Sequence, residues 1–391
     1  MPSAAPVVDI DLAAFSADPY PLLASMRKNT PVCFVPQLQA TLLTSHEDIV
    51  ECEKNVAVFS SEQPGGLMNV LMGENMMRKD GAQHVTERKQ SMPALSPRTV
   101  KQVWRQQFEF YTDQVIALLK TKSGCDLVTD YAMPVSANAL RCITGLTNIT
   151  PQQLDTCSQN MIDGISNYAG DKSVEERCKQ STAFIDQCID QMLESNSGLA
   201  PESLLQVLVN AGQPMKSVSA NVKLAISGGQ NEPRDAIAGC VWALLNHPQQ
   251  LKSVIQGTVG WRQVFEEYAR WISPIGMSPR RIAKPYARGD VLFEPEGRAF
   301  LMFSSANRDE TVFRDADRFD IHRDTTAAVS FGAGPHFCAG AAASRSLIAD
   351  VALPKLFQAF PDIAIDGDVR FGGWAFRGPI SLPVDLGRSH F

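Results

Sequence analysis

The first sixty residues carry a pattern that switches between helix and strand. After Pro19 the apolar positions recur at the helical period, and two short apolar runs, at residues 32–35 and 40–44, then have the length of strands. A helix is predicted to begin after Ser45, because Asp48 stands three residues on, at the spacing that caps a helix N-terminus. We therefore expect a small β-rich corner in this part of the chain.

Further along the chain, helical periodicity dominates. From Thr99 to about Phe360 apolar positions recur at three and four residues, whereas residues 274–330 contain short apolar runs among Pro, Gly and Asp. No linker, charge block or internal repeat divides the chain. The pattern predicts a mainly α fold in one domain over residues 1–391, with β-rich parts at about 30–60, 274–330 and the C-terminus, and a helical body at about 99–273 and 339–360.

Composition and charge argue against two kinds of partner, nucleic acids and membranes. Of the 391 residues, 44% are hydrophobic and 20% are charged, which is enough apolar surface for a large buried core. The formal net charge of −6 argues against a nucleic-acid partner, which would select a basic surface. No apolar run approaches the roughly 18 residues that a bilayer span requires, so we expect no membrane partner and a cytoplasmic location.

Nine cysteines provide the first candidate chemistry. They form no Cys-x-x-Cys pair, and an odd count leaves at least one unpaired, so we expect most of them to be buried reduced thiols. Cys338 differs, because glycines at 332, 334 and 340 surround it and a helix-forming run follows it. The helix dipole and unpaired backbone N–H groups at a helix N-terminus favour a thiolate. The glycines permit a tight turn and leave room for a flat ligand.

The residues around this cysteine have a specific spacing. Phe331, Gly334, Cys338 and Gly340 match Phe-x-x-Gly-x-x-x-Cys-x-Gly, the haem-binding signature of the cytochrome P450 family, which the chain therefore resembles. The resemblance implies haem b as the cofactor, with the Cys338 thiolate as the metal ligand. It also implies the cytochrome P450 fold, a large helical domain with a smaller β-rich region and the haem between the I and L helices.

A charged pair supports the same resemblance. Glu267 and Arg270 match the Glu-x-x-Arg of the family's K helix, and one helical turn brings both side chains to the same face. Such a pair alone is common on solvated helices, but here it stands about 70 residues before the cysteine, as in the family. The resemblance implies a structural role, completed by a later arginine, which we place at Arg318 or, failing that, at Arg323.

Four further residues match positions that contact the haem propionates in this family. His84 and Arg88 match the His-x-x-x-Arg of the C helix, and their spacing places both side chains on one helix face. The resemblance also implies Arg280 and His336 as propionate ligands. Arg281 stays an alternative to Arg280, because the doubled arginine leaves the register open by one residue.

The run at residues 218–245 is predicted to be the long I helix that crosses the distal face of the haem. Gly228 and Gly229 would give oxygen and substrate room there. Pro233 has no N–H, so it cannot bond to the carbonyl four residues earlier, and we expect the helix to open at this point.

The proton relay of the family departs from its usual form in this chain. Most members carry an acidic residue followed by Thr, whereas the register here gives Asn231 and Glu232. We expect these two to act as a substitute relay, with Glu232 as the proton carrier, because an amide can only hydrogen-bond. The alternative is that Glu232 merely pairs with a neighbouring charge such as Arg234.

Two short segments resemble the P450 subgroup that O-demethylates methoxyphenols such as guaiacol. They are Gly-x-x-Glu-Pro at residues 229–233 and Trp-x-Phe-Arg-Gly-Pro at residues 374–379. The candidate residues of the substrate pocket are Phe376, Ile275, Leu71 and Met72. A core role is the alternative for the phenylalanine.

We therefore expect a haem-thiolate monooxygenase that inserts one oxygen atom from O2 into a small organic substrate, with a methoxy-aromatic compound as the candidate. Electrons are expected from a ferredoxin or a flavin and iron-sulfur reductase, which would dock near Arg98, Lys101 and Arg105. Two alternatives stay open: an H2O2-driven peroxygenase that uses Glu232, and a haem-based ligand binder or sensor without turnover.

Overall fold

The structure is a computed structural model that describes residues 4–168, 170–195 and 199–387. The described residues form eighteen α-helices and twelve short β-strands, which confirms the mainly α class. The helices are α1 Leu12–Ala17, α2 Tyr20–Asn29, α3 His46–Lys54, α4 Leu67–Met72, α5 Gly81–Leu95, α6 Pro97–Thr99, α7 Arg105–Leu119, α8 Met133–Thr144, α9 Pro151–Ile165, α10 Lys172–Glu194, α11 Leu204–Asn210, α12 Met215–Ser227, α13 Asn231–Leu245, α14 Pro248–Ile255, α15 Trp261–Ile272, α16 Phe303–Ala306, α17 Ala341–Arg345 and α18 Leu353–Ala359.

The strands are short, and several turns of other helical types join the helices. The strands are β1 Val32–Val35, β2 Ala40–Leu43, β3 Phe59–Ser60, β4 Gly124–Asp126, β5 Ser278–Ile282, β6 Tyr286–Arg288, β7 Val291–Phe293, β8 Arg298–Leu301, β9 Ala364–Ile365, β10 Arg370–Gly372, β11 Gly378–Ser381 and β12 Pro383–Asp385. The π-helical stretches are Val100–Trp104, Val128–Ala132 and Ser346–Ala352, and the 3-10 turns are Pro36–Leu38 and Met76–Arg78.

The β-rich corner predicted from the first sixty residues is present. Strands β1 and β2 pair antiparallel, with Val32 opposite Leu43. Helix α3 begins after Ser45, whose Oγ accepts a hydrogen bond from the N–H of Asp48 at 3.3 Å. The predicted cap therefore forms, and it satisfies one of the backbone donors that every helix N-terminus leaves unpaired.

The first of two compact units contains residues 4–63, 266–338 and 371–378. It includes a five-stranded sheet in the order β1-β2-β8-β5-β3, antiparallel except for the parallel pair of β2 and β8. Side chains along β5 alternate in burial, so that Arg280 and Ile282 are buried and the residue between them is not. The strand thus directs one of two successive arginines inward.

The second unit contains residues 64–265, 339–370 and 379–387, and helices predominate in it. A small sheet in the order β4-β12-β9 interrupts the helical region. The sequence pattern did not predict β4, because a three-residue strand is defined by its partner β12, more than 250 residues away, rather than by its own periodicity.

The predicted division of the chain can be compared with these units. The β-rich parts expected at about 30–60 and 274–330 contain β1–β3 and β5–β8. A single domain over residues 1–391 stays a prediction, since the described chain divides into two units. None of the described helices is both long and apolar enough to cross a membrane.

Candidate functional site

The segment that leads to Cys338 consists of consecutive turns. The N–H of Cys338 donates to the carbonyl of Phe331 at 2.8 Å, and the N–H of Phe337 donates to the carbonyl of Gly334 at 3.0 Å. Gly332 has a φ of +80°, in the left-handed region that favours glycine. Helix α17 begins three residues after the cysteine. The turn and the following helix predicted from the sequence are therefore present.

Close packing against the protein's own backbone requires one of the glycines in this segment. A Cβ atom on Gly334 would lie 2.1 Å from the backbone oxygen of Glu53, near the end of α3. Gly340, in contrast, caps α17 with a φ of −84°, which any residue adopts. Close contact with the protein's own backbone therefore requires glycine at position 334, and the predicted room for a flat ligand stays a prediction.

The other eight cysteines are poor candidates for a metal-binding thiolate. Burial raises the pKa of all eight thiols, because a low-dielectric interior disfavours the charged form. The eight are Cys33, Cys52, Cys125, Cys142, Cys157, Cys178, Cys188 and Cys240. These eight cysteines have free thiols. Cys338, on the turn segment, remains the candidate ligand.

Arg280 on β5 is a buried arginine with an acidic partner. Its exposed fraction is 3%, and its guanidinium donates to the carboxylate of Glu53 and, at 2.5 Å, to the hydroxyl of Ser278. Arg281 instead forms a 2.6 Å ion pair with a largely exposed glutamate. This geometry favours Arg280 over Arg281 as the arginine available to a buried anionic group.

The residues present in the first unit fit a haem. The Nε atom of Arg280 is buried and has no hydrogen-bond partner among the described residues. A buried cation with an unused donor suits an anionic group such as a propionate, since unpaired buried donors are costly. His336 lies in the turn segment two residues before Cys338 and is half-buried. This unit therefore offers a thiol and two candidate propionate donors.

The other two candidate propionate ligands lie in the second unit. Helix α5 carries both His84 and Arg88, one turn apart and on the same face. His84 is 3% exposed, whereas Arg88 is half-buried. Their predicted spacing on a helix is confirmed, and their contact with a propionate stays a prediction.

The buried charge network on α15 corrects one predicted residue. Arg270 donates through Nε and Nη2 to the two carboxylate oxygens of Glu267, at 2.7 and 2.8 Å, and both residues are fully buried. The backbone N–H of Asp320 donates to the same carboxylate at 2.9 Å. The third charged partner is Arg323, 3.3 Å from Glu267. Arg318 is wrong in this role, because its side chain is exposed and only its carbonyl accepts from Arg270.

The long helix predicted at residues 218–245 is interrupted between α12 and α13, as expected. Pro233 is the third residue of α13. Two serine hydroxyls from other helices donate to carbonyls beside the break, Ser158 to Ile226 at 3.1 Å and Ser136 to Gln230 at 2.8 Å. Each carbonyl also accepts from the backbone, Ile226 from the N–H of Gly229 at 3.3 Å and Gln230 from the N–H of Arg234 at 3.2 Å, so the two hydroxyls add contacts that support the opened helix.

The two glycines at the break have different surroundings. A Cβ atom on Gly229 would lie 2.5 Å from the carbonyl oxygen of Ala225, so the backbone itself requires glycine there. A Cβ atom on Gly228 would meet nothing closer than 3.5 Å. Only Gly228 therefore agrees with the predicted role of leaving open space.

Glu232 is the second residue of α13, and its two carboxyl oxygens are buried without a partner among the described residues. Burial raises its pKa to about 8, and the negative charge of Asp235 acts in the same direction. The alternative that Glu232 pairs with Arg234 is wrong for this structure, because Arg234 donates to Asp155 at 2.9 Å and to Asp235 at 2.8 Å. At neutral pH the Glu232 carboxyl group therefore holds a proton that it can donate.

Asn231 is anchored from one side only. Its Nδ2 donates to the side-chain oxygen of Gln159 at 2.6 Å, while its Oδ1 is buried without a partner among the described residues. The preceding Gln230 donates to Asp155 at 2.8 Å. Side chains of helix α9 thus hold the two polar residues that precede Glu232, and they do not contact its carboxyl group.

The four predicted pocket residues fall into two pairs. Ile275 and Phe376 are brought together in the first unit by an isolated antiparallel bridge, and Phe376 is half-buried. Leu71 and Met72 are buried on α4 in the second unit, where Leu71 contacts the α9 backbone at Gly164 so closely that a Cβ there would lie 3.1 Å from it. The bridge is consistent with a wall position for Phe376, and α4 packs in the core.

The Trp-x-Phe-Arg-Gly-Pro segment has a structural explanation. The Trp374 ring packs 5.4 Å from that of Phe15, between ring centroids. Arg377 is buried and donates to the carbonyls of Ser16 and Ala17, at 3.3 and 2.9 Å. The segment therefore ties the end of α1 to the remainder of the first unit, whatever the substrate.

Sequence reasoning missed the partners of these residues. Glu53 carried a signal, because it lies four residues after Ile49 and next to Cys52, so that the helical period places an acidic residue on the buried face of α3. Ser136 and Ser158 carried none, since a serine inside a helical pattern usually faces a neighbouring carbonyl or solvent.

Known proteins are similar to this chain over nearly its whole length. Residues 261–361, which include Glu267, Arg270 and Cys338, match the family model described as Cytochrome P450. The chain is 28% identical to Cytochrome P450 107B1 of Saccharopolyspora erythraea, over 96% of both chains. It is 26% identical to Steroid C26-monooxygenase of Mycolicibacterium smegmatis, over 92% of this chain and 90% of that protein. The solved structure of P450BioI in complex with hexadec-9Z-enoic acid ligated acyl carrier protein has a TM-score of 0.86 at 21% identity, over 95% of this chain and 99% of that one.

Proposed function

We propose that the chain is a cytochrome P450 that inserts one oxygen atom of O2 into a small organic substrate, with Glu232 as the proton donor. Its similarity to named monooxygenases makes it a P450 oxidoreductase, and the cofactor of the family is haem b with an axial cysteine thiolate. When bound, the haem activates O2, and electron donation from the thiolate favours cleavage of the O–O bond.

We assign the axial ligand to Cys338 and the propionate contacts to Arg280, His336, His84 and Arg88. The support for Cys338 is its turn segment, together with the raised pKa of every other thiol. The support for Arg280 is its buried guanidinium, whose Nε has no partner among the described residues. The assignments of His84, Arg88 and His336 rest on their match to the family's motifs.

The observation that carries the proposed proton donor is the unpartnered carboxyl group of Glu232. With a pKa of about 8 the group is mostly protonated at neutral pH, and a carboxyl group exchanges protons with water. Asn231 can only donate and accept hydrogen bonds, so it orients the acid or a water beside it. Glu232 thus supplies the protons that O–O cleavage consumes, in place of the alcohol that most of the family uses.

The test is the Glu232→Gln variant, which keeps the shape of the side chain and removes the transferable proton. We expect product formation with a reductase and O2 to fall by ~10²-fold or more, the usual effect of losing a general acid. Electron consumption should continue, with hydrogen peroxide released instead of product. Asp235→Asn is the matched control, because it removes a carboxyl group that is already paired on the same helix, and its product yield should stay near that of the wild type. An unchanged yield in Glu232→Gln contradicts the proposal.

A peroxygenase is the second candidate function, and the same carboxyl group favours it, since a buried acid can serve as acid and base for H2O2. The two functions separate when turnover with H2O2 alone is compared with turnover with O2, ferredoxin and reductase. If turnover with H2O2 alone is detected only at trace level, the peroxygenase function is excluded.

For the substrate we propose a small methoxy-aromatic compound. The support is the pair of sequence segments around Glu232 and Phe376, together with the bridge that brings Phe376 to Ile275. Hydroxylation of an O-methyl group would release formaldehyde and a phenol, so both products should appear in equal amounts with guaiacol. A substrate-induced shift of the Soret band with guaiacol but not with catechol would support the proposal, and no response to any methoxyphenol would overturn it.

For the redox partner we propose a separate ferredoxin or a flavin and iron-sulfur reductase that docks near Arg98, Lys101 and Arg105. Of these three, Arg105 already contacts Glu109 at 3.1 Å, whereas Lys101 is exposed. Charge reversal at Lys101 should therefore slow reduction by an acidic partner without changing substrate affinity. An unchanged rate of reduction would exclude this docking site.

A further inference from the structure

We propose that Glu53 is a positioning residue for the haem, which holds Arg280 and the segment before Cys338 with one carboxylate and lowers the reduction potential by its negative charge. Glu53 is 2% exposed, near the end of α3, and forms an ion pair with the buried guanidinium of Arg280. The inference rests on the proposed haem site, because it needs Arg280 beside a propionate and Cys338 as the ligand.

The two oxygens of the Glu53 carboxylate serve two different segments. Oε1 accepts from Nη2 of Arg280 on β5. Oε2 lies 3.4 Å from the backbone N–H of Ala333, in the turn segment five residues before Cys338. A Cβ atom built on Gly332 would lie 3.2 Å from the same oxygen. One side chain therefore links the propionate arginine to the backbone that presents the cysteine.

The backbone of Glu53 supports the same arrangement. Its carbonyl oxygen and carbon approach Gly334 so closely that a Cβ there would lie 2.1 and 2.7 Å from them. Position 53 thus touches the turn segment with main chain and side chain at once. A shift of α3 would move both the arginine and the segment before Cys338.

The charge of Glu53 gives this contact an electrical consequence. Arg280 would be shared between two anionic groups, the Glu53 carboxylate and a propionate, so its positive charge is partly cancelled before it acts on the haem. A buried negative charge opposes the addition of an electron, because interactions in the interior are weakly screened. A buried ion pair contributes little net stability compared with apolar residues of equal volume, so stability alone does not explain an acid here.

The first experiment measures the haem reduction potential of Glu53→Gln in the purified haem-loaded protein. We expect a positive shift that raises the ratio of ferrous to ferric haem about tenfold at a fixed ambient potential, which is about 59 mV for one electron. Glu51→Gln is the matched control, because it removes one charge from the same helix at a half-exposed site that pairs with Arg288. Its potential should stay at the wild-type value. An unmoved potential in Glu53→Gln, or an equal shift in Glu51→Gln, overturns the inference.

A second variant tests the positioning role even if Glu53→Gln does not fold. Glu53→Asp keeps the charge and withdraws the carboxylate by one methylene group, so both contacts lengthen. We expect a potential close to wild type, together with a severalfold faster decay of the thiolate-ligated carbon monoxide complex. A decay rate equal to that of the wild type overturns the positioning role. If the wild type itself shows no thiolate-type complex, the proposed haem site fails and the inference fails with it, whereas a normal wild-type complex confines any failure to Glu53.

Discussion

Two buried carboxyl groups of this chain have opposite surroundings. Glu267 receives hydrogen bonds from Arg270, from the N–H of Asp320 and from Arg323. Glu232 receives none from another described residue, and burial raises its pKa to about 8. A carboxylate enclosed by donors holds segments in place, while a carboxyl group buried without donors keeps its proton. The comparison separates a group that maintains the fold from one suited to proton transfer.

The largest loss of stability should follow from substitution of Glu267, the carboxylate that is enclosed by donors. Glu267→Gln removes the charge that compensates Arg270, and loss of one partner of a buried pair costs about 3–5 kcal/mol. We expect a lower free energy of unfolding by this amount in chemical denaturation. Glu232→Gln, the same substitution at the unpartnered site, should unfold no more easily than the wild type. Equal destabilisation of the two variants would remove the distinction between them.

Two glycines show the same contrast between a crowded and an open site in the backbone. Gly334→Ala places a methyl group 2.1 Å from the carbonyl oxygen of Glu53, so we expect a loss of about 2–3 kcal/mol from overpacking. Gly228→Ala, at the helix break, meets nothing closer than 3.5 Å and should change stability by less than about 0.5 kcal/mol. Thermal unfolding of both variants checks this order of stability. A Gly334→Ala protein as stable as the wild type would contradict it.

A smaller effect distinguishes two arginines of the same segment. Arg323→Gln removes an ion pair with Glu267, for which we expect a loss of about 1.5 kcal/mol. Arg318→Gln removes an exposed side chain whose carbonyl alone contributes to the network, so its stability should stay within about 0.5 kcal/mol of the wild type. A larger loss of stability in Arg318→Gln than in Arg323→Gln would instead support Arg318 as the arginine partner of Glu267.

The last effect is a dependence of stability on pH rather than a fixed loss. Because the pKa of Glu232 is raised from 4.5 to about 8 on folding, the folded protein keeps a proton that the unfolded chain releases in this window. The folded state therefore loses stability at this site as the pH rises from about 5 to about 8. Relative to the wild type, Glu232→Gln should become more stable over this window. A constant difference in melting temperature between the two proteins from about pH 5 to pH 8 would contradict the raised pKa.

Local spacing explains what the sequence could predict. The turn before Cys338, the helix that carries His84 and Arg88, and the opening near Pro233 all depend on residues within a few positions of each other. Each of these was predicted and is present in the structure. Glu232, in contrast, follows from the resemblance to the family's I helix, and its role as a proton carrier stays a prediction.

Contacts between distant segments explain what the sequence could not predict. Arg318 and Arg323 stand in one short segment with similar surroundings, and only the fold decides which guanidinium reaches Glu267. The pair of Glu53 and Arg280 joins residues 227 positions apart, so no local pattern indicates it. Such contacts arise from packing, which the periodicity of a single segment does not encode.

The carbon monoxide spectrum of the dithionite-reduced protein, recorded for the wild type and for Cys338→Ala, tests whether Cys338 is the haem ligand. Thiolate ligation shifts the Soret band of the complex strongly to the red, because the sulfur donates electron density to the metal. We expect this red-shifted band in the wild type and its loss in Cys338→Ala. A wild-type protein without the band, or a variant that keeps it, would contradict the assignment of Cys338 as the haem ligand.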